Sequence, residues 1–87
     1  MTKSMTTSGI PGLEEGLAAI ERGDYHAAQG LLRPAAHAGH RQAQYQMGIM
    51  AADGLGQSRD PTAAREWFRQ SAEQGFAPAQ RRYQQLQ

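Results

Sequence analysis

Two stretches decide the fold: Asp24–Gln44, DYHAAQGLLRPAAHAGHRQAQ, and Asp60–Gln80, DPTAAREWFRQSAEQGFAPAQ. Laid over one another at an offset of 36, they are identical at eight of 21 positions, namely Asp60, Ala63, Ala64, Arg69, Ala72, Gly75, Ala79 and Gln80 with their earlier equivalents. The stretches that precede them align at a shorter offset of 32, Gly16 with Gly48, so the second connection is four residues longer than the first. A period of this length holding two helices predicts a solenoid, in which each helix pair buries one face against its neighbours and cannot stand alone.

The helical reading follows from local pattern. Leu13, Leu17 and Ile20 recur at helical spacing, and Gly23-Asp24 supplies a helix stop followed by a helix start. From Asp24 to Ala38 the residues Ala27, Ala28, Leu31, Leu32 and Ala35 share one broad face, with Gly39 where a C-terminal cap belongs. Pro34 interrupts this segment, and an interior proline removes one backbone bond at about 3 kcal/mol, so a bend without a break is expected there. Arg41–Ala52 forms a third helical pattern, Pro61–Gln74 a fourth with proline in its first turn, and Pro78–Leu86 a shorter fifth. Between the third and fourth, Asp53–Asp60 carries Gly54 and Gly56 and reads as a loop that ends on Asp60 as an N-cap.

The expected organisation is a flexible N-terminal tail over residues 1–12, rich in Thr, Ser and Gly, and a helical repeat domain over 13–87. Within it, residues 13–40 form the first helix pair, 41–76 the second, and 77–87 a polar capping helix that ends Gln84-Gln85-Leu86-Gln87. At 87 residues the chain is one small domain, and with 10 glycines among its residues the core must be built largely from alanine. Small residues at Gly48, Ala64 and Ala72 would let helix backbones approach closely, with Met47, Trp67, Phe68 and Tyr83 filling the remaining volume.

Composition removes several function classes. The net charge is +1, with nine bases interspersed among eight acids, so no strong field steers the chain to nucleic acid or a membrane surface. Arg81-Arg82-Tyr83 with Arg65 and Arg69 is the nearest approach to a nucleic-acid stripe, and Glu66 and Glu73 interrupt it. Without cysteine there is no disulfide framework or thiolate zinc site. His37 and His40 straddle Gly39, and His26 stands apart, so all three read as solvent-facing polar residues rather than metal ligands. Gly54-Leu55-Gly56 has no preceding strand and no following Gly-Lys-Ser/Thr, which sets aside a phosphate loop. Glu14-Glu15 suits a helix N-terminus, and no Ser/His/Asp arrangement has a local signature. No enzyme and no cofactor is expected. Neither a signal peptide nor a membrane span is legible near the start, which points to the cytoplasm.

The chain resembles the Sel-one-like repeats, relatives of the tetratricopeptide repeats. The resemblance is carried in order by Ala43-Gln44-Tyr45, Met47-Gly48, Gly54 and Gly56, Asp60, Ala64, Trp67-Phe68, Ala72, Gln74-Gly75 and Ala79-Gln80. The first module is similar to a tetratricopeptide unit through Gly16, Gly23-Asp24-Tyr25 and Ala28. Departures are Ala51 where an aromatic is usual, Gln57 where a small aliphatic is usual, and Glu15 where a leucine is usual, each removing core volume.

The resemblance implies a curved all-α array acting as a scaffold or adaptor, with the first helix of each pair lining the concave face and no catalytic residues. If that face transfers, Leu13, Leu17 and Ile20 stand beside Gln42, Tyr45 and Ile49 in a partly apolar channel suited to an amphipathic helix or extended peptide. Tyr45 is its expected anchor, and Arg81 is counted with these residues. The alternative is that Leu13, Leu17 and Ile20 are core. A protein or peptide partner is expected. Since about three repeats are usually needed for a stable stack, a homodimer in which two chains complete each other's core is the second reading.

Overall fold

The computed structural model describes residues 12–86, so the expected tail lies, but for Gly12, outside the described residues. Five helices follow in order: α1 (Leu13–Arg22), α2 (Tyr25–His37), α3 (Arg41–Asp53), α4 (Pro61–Glu73) and α5 (Ala77–Gln85). No strand occurs among the described residues, and the all-α expectation holds. Asp24 and Asp60 open α2 and α4, each carboxylate accepting from the backbone N–H three residues on, at 3.3 and 3.1 Å. α2 runs unbroken through Pro34 to His37.

The repeat is visible bond for bond at the helix ends. After α2, Gly39 takes φ 100° while its N–H donates to the Ala36 carbonyl and the His40 N–H to the Ala35 carbonyl. After α4, Gly75 takes φ 84° while its N–H donates to the Ala72 carbonyl and the Phe76 N–H to the Ser71 carbonyl. Both are left-handed glycine caps, the conformation a side chain would strain.

Each helix packs mainly on the next in sequence, and the most extensive contact is between α3 and α4. Two hydrophobic clusters result. Leu13, Ala19, Ala28, Leu32, Ala35, Ala36, Ala43, Met47 and Met50 form the first, between α1, α2 and α3. Ala51, Ala64, Phe68 and Ala79 form the second, between α3, α4 and α5, so α3 is a wall shared by both. Glycine sets the spacing in each pair. A Cβ on Gly16 would lie 2.5 Å from the Leu32 side chain, and one on Gly48 would lie 2.7 Å from the buried Phe68 ring.

The longer connection is a packed structure. Leu55 leans on the first cluster, and Gly56, at φ 73°, presses so closely on the Tyr25 backbone that a Cβ would come within 2.8 Å. Gln57 accepts a hydrogen bond from the Gln29 amide of α2, so the polar residue found where an aliphatic is usual ties the loop down by another means. The other two departures divide: Ala51 is buried in the second cluster, whereas Glu15 is exposed and withdraws from the core.

The Gly48→Ala variant separates packing from helix propensity. Propensity alone would favour alanine by about 1 kcal/mol, yet the Phe68 ring leaves no room, so a net loss of about 1–3 kcal/mol is expected in denaturant melts followed by circular dichroism. Gly30→Ala, in a helix interior with nothing within 4 Å of the new Cβ, should instead gain about 0.5–1 kcal/mol.

Candidate functional site

The residues expected to face a partner occupy unequal positions. Leu13 is completely buried in the first cluster. It therefore belongs to the core, the alternative already open from sequence, and cannot be a surface contact. Leu17 and Ile20 are half-buried and lean on the same cluster. Tyr45 and Ile49 are half-buried against the second cluster, and Gln42, on the same helix, is also half-buried. Arg81 is exposed on α5. The face thus divides into an α1 part over one cluster and an α3 part over the other.

Tyr45 is held by two other aromatic rings. Its ring meets Phe68 at 5.8 Å and Phe76 edge-on at 5.3 Å between centroids. Phe76 in turn lies under the Arg41 guanidinium at 5.8 Å. Tilted and edge-to-face contacts of this kind favour one ring orientation, which lowers the entropy a contact with this ring would lose on binding.

A buried polar seam joins α2, α3 and α4, and the sequence reading, which assigned the core to alanine and a few larger apolar residues, did not include it. Gln44 is 3% exposed among alanines, a setting in which an unpaired amide would cost about 1–3 kcal/mol. Its amide donates to the Ala36 carbonyl at 3.1 Å and to Gln70 at 3.3 Å, and its oxygen accepts from Gln74 at 2.9 Å. Gln74 also donates to the Gly39 carbonyl at 2.8 Å, and the fully buried Ser71 hydroxyl donates to the Arg41 carbonyl at 2.8 Å. The signal available in sequence was the identity of Gln44 with Gln80 at the repeat offset.

The arginines do not form one free stripe. Arg69 is held by Glu66 and Glu73 on its own helix. Hydrogen bonding from this guanidinium holds the Glu66 carboxyl below the usual carboxylate range, and the two carboxylates raise the Arg69 pKa above its ordinary value. Arg65 lies over the Tyr83 ring at 5.2 Å and Arg82 over Phe68 at 5.1 Å. Among the described residues no group of three or more His, Cys, Asp or Glu is placed to hold a metal ion. His37 meets Trp67 edge-on at 5.3 Å, and His40 Nδ1 accepts from the Ala43 N–H at 3.4 Å as the cap of α3. That capping role was not legible, since histidine is not among the favoured N-cap types. No described helix is long and apolar enough to cross a membrane.

A succession of capped helix pairs, each closed on a glycine of its own first helix, defines an α/α repeat protein. The family model of the Sel1 repeat matches residues 12–40 and 41–76, and the chain belongs to that family. Sel1 repeats generally mediate protein–protein interaction. The chain is also 39% identical over 51 residues to "Chitin synthase regulatory factor 3" of Schizosaccharomyces pombe, a match that covers 59% of this chain and 6% of that protein. No solved structure gives a significant match.

The charge clamp on α4 is open to direct titration. The lowered Glu66 pKa depends first on Arg69, so Arg69→Gln should return that carboxyl upward toward its ordinary value in a carboxyl-carbon NMR titration. In the intact protein the part of stability linked to this depressed carboxylate pKa is present above the unfolded-state value and is lost as pH falls through the folded one. The acid limb of the stability profile should therefore flatten in the Arg69→Gln variant.

Proposed function

We propose that this protein is a scaffold or adaptor that binds a protein or peptide on the face formed by the first helix of each pair. Half-buried Tyr45, held between Phe68 and Phe76, is the observation that carries this reading. An aromatic side chain that is already fixed and still partly open to solvent is the usual anchor of a binding surface. Ile49, Leu17 and Ile20 add apolar area, and Gln42 and Arg81 supply the polar rim. Leu13 contributes only by supporting α1 from beneath. The family supports binding over catalysis, and the fission-yeast relative is, by its name, a regulatory factor.

The test is capture of a partner from an extract of the source cells by the tagged chain, followed by measurement with the purified partner. Tyr45→Ala and Ile49→Arg should each weaken that complex by about tenfold or more, with helical content unchanged. Full retention of binding in both variants would place the partner on another surface.

A further inference from the structure

A groove of about 500 Å³ between α4 and α5 is lined by Arg69, Ala72, Glu73, Gln80, Tyr83 and Gln84. Moved back by the repeat offset of 36, these six positions become Arg33, Ala36, His37, Gln44, Met47 and Gly48. Those residues belong to the groove between α2 and α3, and there the occupant is known: it is α4. Trp67 meets His37 and leans on the cluster that holds Ala36 and Met47, Phe68 sits on Gly48, and Gln70 and Gln74 bond to Gln44. The α4/α5 groove continues this interface one repeat further along the stack.

Its polar groups are set in the same way. Gln80 donates to the Ala72 carbonyl at 3.2 Å, as Gln44 donates to the Ala36 carbonyl at 3.1 Å. Gln44 has the further amides of Gln70 and Gln74, whereas among the described residues the Gln80 side chain has only its bond to Ala72. One position differs in a way that selects the occupant. Gln84 stands where Gly48 admits the Phe68 ring, and since even a Cβ at Gly48 would lie 2.7 Å from that ring, a helix carrying phenylalanine there cannot seat in the α4/α5 groove as α4 does in its own.

We propose that the groove between α4 and α5 is a docking site for one amphipathic helix of a partner protein, laid as α4 is laid between α2 and α3, with a small residue facing Gln84. The template specifies the rest of the incoming face. Amide side chains at the places of Gln70 and Gln74 meet Gln80 and the Gly75 carbonyl, and a hydroxyl at the place of Ser71 meets the Ala77 carbonyl. This surface is separate from the Tyr45 face and its occupation does not depend on that face.

The probe is a peptide copying Asp60–Gln74 with Phe68→Ala, titrated into the isotope-labelled full chain and followed by NMR. Saturable shifts are expected at Gln80, Tyr83 and Gln84. Gln80→Ala, at an exposed position, should weaken binding about tenfold through the lost amide contacts. A second variant reverses the size rule: Gln84→Gly should bind the peptide that retains Phe68 at least about tenfold more tightly than the unaltered chain does. Absence of saturable shifts overturns the proposal, as do shifts confined to α1–α3 that ignore Gln80→Ala. A concentration-dependent dimer seen by light scattering and dispersed by Gln80→Ala would assign the groove to a second copy of the chain, and this also overturns it.

Discussion

The approach of Phe68 to Gly48 is the contact on which the rest of the structure depends. It seats α4 on α3 along the most extensive helix contact of the described residues and so fixes the second helix pair. α3 then carries the first pair on its other side through Ala43, Met47 and Met50. Alanine side chains bury little area, at about 0.8 kcal/mol per methylene-sized group, so a core built from them gains cohesion only when backbones come close enough for dense packing. Glycine at the crossing permits that closeness, and the aromatic ring fills what glycine leaves.

Packing alone would let alanine faces slide past one another, since one small side chain resembles the next. The seam of Gln44, Gln70, Gln74 and Ser71 opposes sliding, because each of its bonds is met at one alignment of α2, α3 and α4. Shifting α4 by a turn would strand the side-chain oxygen of buried Gln44 and the fully buried Ser71 hydroxyl, at a cost of about 1–3 kcal/mol for each unmatched group. A short alanine-rich repeat thus obtains its alignment from amides and its cohesion from one aromatic ring. With α3 fixed in this way, Tyr45 on the same helix is held between Phe68 and Phe76, and the same interaction that orders the fold orders the proposed anchor.

Much of this was legible in the residues. The offset of 36, the aspartates opening α2 and α4, and the glycines closing the helices are local signals, and local chemistry decides caps and turns whatever the surroundings. The five helices follow from them with boundaries displaced by a residue or so, as at α5, which starts at Ala77 rather than Pro78. The site was less legible, because helical spacing says which residues share a face but not whether another helix covers it. Leu13 and Leu17 lie on one stripe of α1, yet Leu13 is sealed by the core while Leu17 stays half open. The glutamine seam escaped sequence reading for a related reason: Gln44 is polar by type and buried by position, and only the placement of α4 reveals its partners.

If the α3–α4 contact organises the molecule, the protein opens from its ends inward and α3 and α4 open last. Native-state amide hydrogen exchange, resolved residue by residue by NMR, tests this most directly. The account predicts that the slowest amides lie in α3 and α4, those around Met47–Ala51 and Ala64–Ser71 exchanging together, with α1 and α5 losing protection at lower denaturant. Slowest exchange in α1 and α2, with α3 and α4 opening independently of each other, would contradict it.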